Sequence, residues 1–245
     1  MKTIIIIPSR LAASRLPRKP LLKIRGLSMI SHVFKKAEEA NIGEVFVAAE
    51  DQEIIDDVKK NGGQAILTSK DHKTGTDRIY ELLKKIDRPD IDLVMNLQGD
   101  EPLMNTNDIK NLNDNMIKSN SYIGTLAANI SDKLIYVNHN VVKVLTKENL
   151  DFLKFVEAKD FTRETRQNFQ NVYHHLGVYC YQLDTLKRFV SLKQSFNEKK
   201  NKLEQLRALD NNIKINVALA KSAPIGVDTE EDYLAIKKIM EYKSE

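Results

Sequence analysis

Cysteine is almost absent from this chain. Cys180 is the single one in 245 residues, which excludes an intrachain disulfide framework and any zinc site built on cysteine pairs, and fits a reducing compartment such as the cytoplasm. Long apolar runs are missing as well: Ile4 to Ile7 is stopped by Pro8 and Arg10, far short of the ~20 residues of a membrane span. It is also too short for the apolar core of a signal peptide, so a soluble, non-exported protein without membrane association is expected. Nine glycines and six prolines leave little from which to build a flexible hinge, and no repeat or low-complexity tract occurs; a single domain over residues 1–245 is the expectation. A glycine-rich phosphate loop, of either the P-loop or the G-x-G-x-x-G kind, is lacking. Acids are lacking at the start: nine cations precede Glu38, and since the whole chain carries +4 the remainder carries −5. A basic end on a mildly acidic body points to a localised anion site and away from a nucleic-acid-coating surface, with a solvated basic face as the alternative.

What is present suffices for a core. Hydrophobic residues make up 42% and charged residues 29%, and a chain of this length buries roughly three-quarters of its unfolded surface, which excludes disorder as the main state. Strands are expected at about Thr3–Pro8, Glu44–Ala49, Gln64–Thr68 and Asp92–Leu97. Between them, Ser28–Ala40, Glu53–Lys60 and Asp77–Ile86 carry helix-period stripes such as Met29, Ile30, Val33, Phe34 and Ala37. This βαβ order predicts an α/β fold with a mostly parallel, doubly wound sheet. Further strands are expected at Tyr122–Ile130, Asn140–Thr146, Phe152–Glu157, Val172–Tyr181 and Lys214–Ala220, and helices near Thr185–Leu192, Lys202–Leu209 and Glu231–Tyr242. That second half reads as a β-rich insertion.

Ligands of a parallel sheet gather beyond the carboxyl ends of its strands, so the segments there carry the chemistry. Pro8 to Pro20 follows the first strand and holds three of the six prolines, four cations and no acid. Prolines stiffen the loop, and stiffly held cations suit a polyphosphate; an ordinary surface loop is the alternative. Glu50 and Asp51 follow the second strand. After the third, Gly75 permits close backbone approach and Thr76 or Asp77 can cap the next helix, while His72 alone reads as a local hydrogen-bonding residue. After the fourth, Gly99-Asp100-Glu101-Pro102 holds a carboxylate rigidly, as Mg²⁺ bound together with phosphates requires, unless Asp100 merely forms a turn. Asp228 offers another fixed carboxylate, unless Asp228 or Thr229 is simply the cap of the helix that follows, with the acids there complementing its dipole. Two carboxylates beside a cationic loop make a metal-assisted phosphoryl- or nucleotidyl-transfer site.

The strings IIPSRLAASRLPRKPL, HKTGTDR, NLQGDEP, NHNVVKV, HHLGVYCY, LEQLRAL and GVDTEEDY resemble, in order and at matching spacing, the 3-deoxy-manno-octulosonate cytidylyltransferases, the CMP-Kdo synthetases of lipopolysaccharide biosynthesis. The resemblance implies a nucleotide-diphospho-sugar transferase fold, a homodimer, and a reaction joining CTP and Kdo into CMP-Kdo and pyrophosphate with Mg²⁺. It implies that Arg10, Ser14 and Lys19 hold the triphosphate, that Thr74, Gly75 and Arg78 lie around the cytidine and phosphates, and that Asp100 and Asp228 bind the metal. Arg10, Lys19, Asp100 and Asp228 then form the catalytic set. Gln98, Arg163, His175, Tyr179, Glu204 and Gln205 line the sugar-acid pocket, with the choice between His174 and His175 left to strand register.

Departures from the family pattern stand at Arg18, where glycine is usual, at Thr74 and His139, and at Phe161 to Arg166, which replaces a proline-bearing apolar stretch. Arg18 either adds charge near the phosphates or points to solvent. Glu164 either pairs with Arg166 or meets an ammonium on a modified sugar. Glu204 and Arg207 stand at i, i+3 spacing and, from the sequence, either pair or serve the pocket. Other readings are a cytidylyltransferase for an amino-modified Kdo or another sugar acid, and a non-catalytic nucleotide-binding homologue. A nucleic-acid-binding module is disfavoured because the basic excess sits in one stiff loop with few rings nearby.

Overall fold

A computed structural model describes residues 1–12, 15–165 and 170–242, so Ser14 and Arg166 lie outside the described residues. The chain forms two compact units. The first comprises Lys2–Ile91, Met95–Ile109 and Pro224–Glu245, and the second Asp92–Val94 and Lys110–Ala223, with Met1.

In the first unit, strand β1 (Thr3–Ser9) is followed by the short hairpin β2 (Lys23–Ile24) and β3 (Leu27–Ser28), then α1 (Met29–Glu39), β4 (Gly43–Ala49), α2 (Gln52–Lys60), β5 (Ala65–Leu67), α3 (Gly75–Ile86) and the second half of β6 (Leu93–Asn96), whose Leu93 and Val94 are counted with the second unit. The strand order is β5-β4-β1-β6, with β1, β4 and β5 parallel. Ile4 to Ile7 are wholly buried on both faces, as a parallel strand covered by helices demands. Gly43 opens β4 beside Thr3, where any Cβ would lie 1.9 Å from the Thr3 carbonyl oxygen. Only glycine admits that approach. Ser28 caps α1 by accepting from the Ser31 N–H. Helix α3 starts two residues earlier than expected because Thr74, and neither Thr76 nor Asp77, is its cap: the Thr74 hydroxyl oxygen accepts from the Asp77 N–H at 3.2 Å.

The chain passes from the first unit to the second within α4 (Thr106–Ser119). Then come β7 (Ile123–Ala128), α5 (Lys133–Val137), β8 (Lys143–Thr146), β9 (Phe155–Thr162), β10 (Val172–Gln182), α6 (Leu183–Ser191), α7 (Phe196–Asn201), α8 (Leu206–Asp210) and β11 (Ile215–Leu219), and α9 (Glu230–Tyr242) returns to the first unit. Within the second unit the order is β10-β7-β11-β9-β8, and the start of β10 also pairs with β8, closing the strands into a ring without free edges. Only β7 and β11 are parallel there; the remaining pairs are antiparallel. The parallel, doubly wound description therefore fits the first unit and not the second.

Several elements differ from the sequence expectation. Strand β9 begins at Phe155 because Phe152 and Leu153 are exposed, so their apolar run marks a turn. The helix expected over 202–209 forms only from Leu206, as α8, because Lys202 is in a left-handed conformation, φ 52°, that ends the preceding helix α7. Helices α4, α5 and α7 had no counterpart. No helix among the described residues is long and apolar enough to cross a membrane.

Candidate active site

A cleft of about 460 Å³ opens in the first unit where the segments following β1, β5 and β6 meet the start of the final segment. Two glycines set how closely these loops pack. At Gly75 a Cβ would press on the Pro8 ring at 3.3 Å, and at Gly99 it would meet the Pro8 carbonyl oxygen at 3.3 Å. Val227, buried with Ile24, Met29 and Ile236, anchors the final segment, and its N–H donates to the Asp100 carbonyl oxygen at 3.0 Å. Asp100 and Asp228 are thereby brought to one place from opposite ends of the chain.

Lys19 stands between them. Its Nζ donates to Asp100 Oδ2 at 2.8 Å, to the Val227 carbonyl at 2.7 Å and to Asp228 Oδ1 at 3.3 Å, with the side chain 15% exposed. Arg15 Nη2 reaches the second Asp228 oxygen at 3.0 Å. Arg10 also lines the cleft, as do Thr74, Gly75, Arg78 and Gln98. The helix cap is Thr229 and not Asp228: the Thr229 hydroxyl oxygen accepts from the Asp232 N–H at 3.2 Å, and Asp232, whose burial raises its pKa but which is held below the usual carboxylate range by the Asp228 N–H and by Thr229, accepts from the Asp228 and Thr229 N–H groups in return.

Arg78 reaches the cleft wall but is heavily committed, since its guanidinium pairs with Glu50 and donates to Thr68 Oγ1 at 2.6 Å and the Ser69 carbonyl at 3.1 Å. Arg18 does not face the cleft. Its backbone is left-handed, φ 58° and ψ 20°, and its exposed guanidinium pairs with Glu53. The position is one that favours glycine, which explains the usual glycine of the family. Three residues of the site escaped sequence reasoning. Arg15 was counted only as loop charge; Asp51 receives the Leu11 N–H at 2.8 Å and ties down the cationic loop; Glu81 pins the wall carrying His72 by accepting from the Ser69 N–H at 2.8 Å and pairing with the imidazole. Each makes a contact across 12 or more residues, or across a loop, and no local pattern signals it.

Glu101 is buried beside Asp100. Burial, and then the Asp100 charge, push its carboxyl up to about 8, and its Oε2 has no hydrogen-bond partner among the described residues.

The second unit gathers another group. Between Leu176 and Tyr179 the register of β10 against β7 shifts, so that His175 pairs with Ala127 and Tyr179 with Thr125. This bulge brings the His175 and Tyr179 rings to 5.4 Å, and Phe161 meets His175 edge-on at 5.0 Å. Of the two adjacent histidines, His175 is the one buried beside Tyr179. Thr125 Oγ1 lies 3.0 Å from His175 Nε2 and 2.7 Å from the Val178 carbonyl. Its single proton serves the carbonyl, so the imidazole donates through Nε2–H. Burial, and then His174, lower the His175 pKa to about 3, so it is neutral at physiological pH. The Tyr179 hydroxyl is buried without a hydrogen-bond partner among the described residues, and burial followed by Tyr181 and Glu204 raises its pKa well above the usual value.

Glu204 and Arg207 do approach, at 3.6 Å, but Arg207 is engaged elsewhere: it holds Glu198 through Nε at 2.9 Å and Nη2 at 2.6 Å, both side chains being almost fully buried. Gln205, the neighbour of Glu204, is buried. Arg163 lies apart from this group by its hydrogen bonds, donating to the carbonyls of His139 and Asn140. Glu164 is exposed and its proposed partner Arg166 is outside the described residues.

Residues 4–215 match the sequence profile of the cytidylyltransferase family. A 3-deoxy-manno-octulosonate cytidylyltransferase of Rhodopseudomonas palustris is 43% identical over 242 residues, 98% of both chains, and one of Haemophilus influenzae 38% identical over 251 residues, 98% of this chain and 99% of that one. A solved structure of CMP:2-keto-3-deoxy-manno-octonic acid synthetase complexed with CTP superposes with a TM-score of 0.89 at 33% identity, covering 99% of this chain and 100% of that one. A glucose-1-phosphate thymidylyltransferase-like protein of Bacillus anthracis, 14% identical with a TM-score of 0.69 over 98% of this chain and 96% of its own, shares the α/β nucleotidyltransferase-like fold alone. With relatives this similar along nearly the full chain, and with its acids and cations converging in one cleft, the protein belongs to the 3-deoxy-manno-octulosonate cytidylyltransferase family.

Proposed function

We propose that this chain transfers CMP from CTP to the anomeric hydroxyl of Kdo, releasing pyrophosphate and supplying CMP-Kdo for lipopolysaccharide synthesis. The observation that carries the assignment of roles is Lys19, clasped by Asp100 and Asp228. Two carboxylates that converge on one cation, in a chain whose described residues contain no cluster of three His, Cys, Asp or Glu side chains, fit a Mg²⁺ held largely by substrate phosphates. Bound there with the triphosphate, the metal supplies charge neutralisation at the α-phosphorus and a lowered pKa for the attacking hydroxyl.

This chain's own residues supply the rest. Asp100 and Asp228 would hold the metal, and the cations that pair with them here, Lys19 and Arg15, would then serve phosphate oxygens together with Arg10. They stabilise the pyrophosphate as its charge develops. The loop bearing Ser14 follows Arg10, and Thr74, Gly75 and Arg78 form the wall that receives the nucleotide. Gln98, Arg163, His175, Tyr179, Glu204 and Gln205 recognise the sugar acid. The neutral His175 offers Nδ1 as an acceptor, and the Tyr179 hydroxyl, buried without a partner, is a donor for a substrate oxygen. Family membership supports a homodimer working in the cytoplasm and a single cytidylyltransferase domain comprising both units. Pyrophosphate release from CTP and Mg²⁺ with a panel of sugar acids tests the reading. Kdo is expected to be the preferred acceptor and chelation of the metal to stop release; turnover of another sugar acid without Kdo would overturn the acceptor, and metal-independent turnover the metal site.

A further inference from the structure

Lys143 is a buried cation that forms no ion pair with an acid among the described residues. On β8 it is flanked by Thr162 of β9 and by His174 of β10, so the three side chains share one face of the strands. None of it reaches solvent. Its Nζ donates to the carbonyl oxygens of Asn138 at 2.7 Å and Arg163 at 3.0 Å. The Arg163 guanidinium returns the tie, donating to the carbonyls of Asn140 at 2.8 Å and His139 at 3.3 Å. Burial, and then the positive charge of Arg163, lower the Lys143 pKa; His174 is lowered by burial and then by Lys143. Taking an ammonium out of water against two carbonyl dipoles is costly, and a well-packed apolar side chain would fill the space without that cost. The arrangement gains its sense from a negative charge that arrives from outside. Arg163, half-buried at the end of β9, is where such a charge can be met.

We infer that Lys143 is a positioning residue for the acceptor's carboxylate: it pins the backbone at Arg163 and backs it with a second, permanently sheltered positive charge, so that Arg163 meets the anionic group of the sugar acid. The inference rests on the sugar-acid reading above. A charge held in the interior is screened little by salt, unlike an exposed arginine alone, so it adds discrimination for an acid over a neutral analogue.

The test compares Kdo with the amide of its carboxyl group, in the full-length protein and in Lys143→Met, Lys143→Gln and Lys143→Arg. The acid-over-amide preference in kcat/KM is expected to fall by about tenfold in the methionine and glutamine variants and to survive in the arginine variant, with KM for CTP changed by less than about twofold. Glutamine keeps a donor for the carbonyls without the charge, and so separates the two contributions. Equal losses for acid and amide would make Lys143 a packing residue and overturn the inference. So would unchanged preference, or failure of both neutral variants to fold, since the ammonium would then serve the fold itself. If the wild type turns over a different sugar acid, the Kdo reading falls, and the same comparison with that acid and its amide decides Lys143.

Discussion

Arg18 is a residue whose backbone and side chain make separate, measurable demands. Its φ of 58° is in the left-handed region, and its guanidinium reaches Glu53 on α2 instead of the cleft. A residue with a Cβ is disfavoured in that region by roughly 1–2 kcal/mol, while glycine recovers this less roughly 0.4–1 kcal/mol for the freedom it gains when unfolded. At an ordinary helix or strand position glycine is the worse residue, by about 0.5–1 kcal/mol relative to alanine. Here the sign should reverse. Arg18→Gly and Arg18→Ala lose the same exposed ion pair, so that contact cancels between them. For a chain of this size, where 1 kcal/mol moves Tm by about 2–4 °C, the glycine variant is expected to melt about 1–4 °C above the alanine variant. KM for CTP should stay within about twofold of wild type in both, because the side chain is outside the cleft. Thermal scans at matched concentration, with steady-state kinetics on the same preparations, give the answer. An alanine variant as stable as the glycine one would refute the backbone argument, and a large rise in KM for CTP in either would return Arg18 to the phosphate site.

Asp100→Asn and Asp228→Asn, which remove charge with little change of volume, should each lower kcat by at least ~10²-fold with the fold retained by circular dichroism; near-wild-type turnover would remove the residue from the metal site. Lys19→Ala should depress kcat/KM for CTP more than ~10-fold, and if Arg18→Ala did the same, loop charge as such would be what counts. Glu81 gives a pH prediction: burial pushes its carboxyl up, but Lys85, His72 and the Ser69 N–H together outweigh that and hold it at about 2, below the usual 4.5. A folded pKa below the unfolded one stabilises above pH 4.5 and is lost as pH falls toward 2, so Glu81→Gln should show a flatter dependence of Tm on pH between 4.5 and 3 than wild type. Parallel Tm profiles would contradict the assignment.

Much of the first unit is legible because its signals are local. Ile4 to Ile7 ended by Pro8, and the stripe of Met29, Ile30, Val33 and Phe34 behind a serine cap, announce a buried strand and an amphipathic helix within a few residues of their actual ends. Helix α7 was legible in principle, since Ser195 and Glu198 form a capping box, Ser-x-x-Glu, yet six polar-rich residues carry too little periodicity to draw notice. Helix α4 hides its buried Ile109, Leu112 and Met116 among asparagines, which favour turns over helix interiors.

The strand and helix order of the first unit, the stiff cationic loop and the acids placed past strand ends can all be read along the chain. Which of these meet is settled by the fold. Lys19 finds Asp100 and Asp228 at separations of 81 and 209 residues, and Arg207 takes Glu198 as its main partner instead of the nearer Glu204. The choice between His174 and His175 was likewise settled by packing, since His175 is the one buried against Phe161 and Tyr179. The physical reason is common to all three. Periodicity records which face of an element is buried, because that depends on spacing within one turn or pleat. The partner of a buried charge depends instead on which distant loops the topology brings within about 3 Å of it, and hydrogen-bond energy falls away too steeply with distance for spacing along the chain to foretell it.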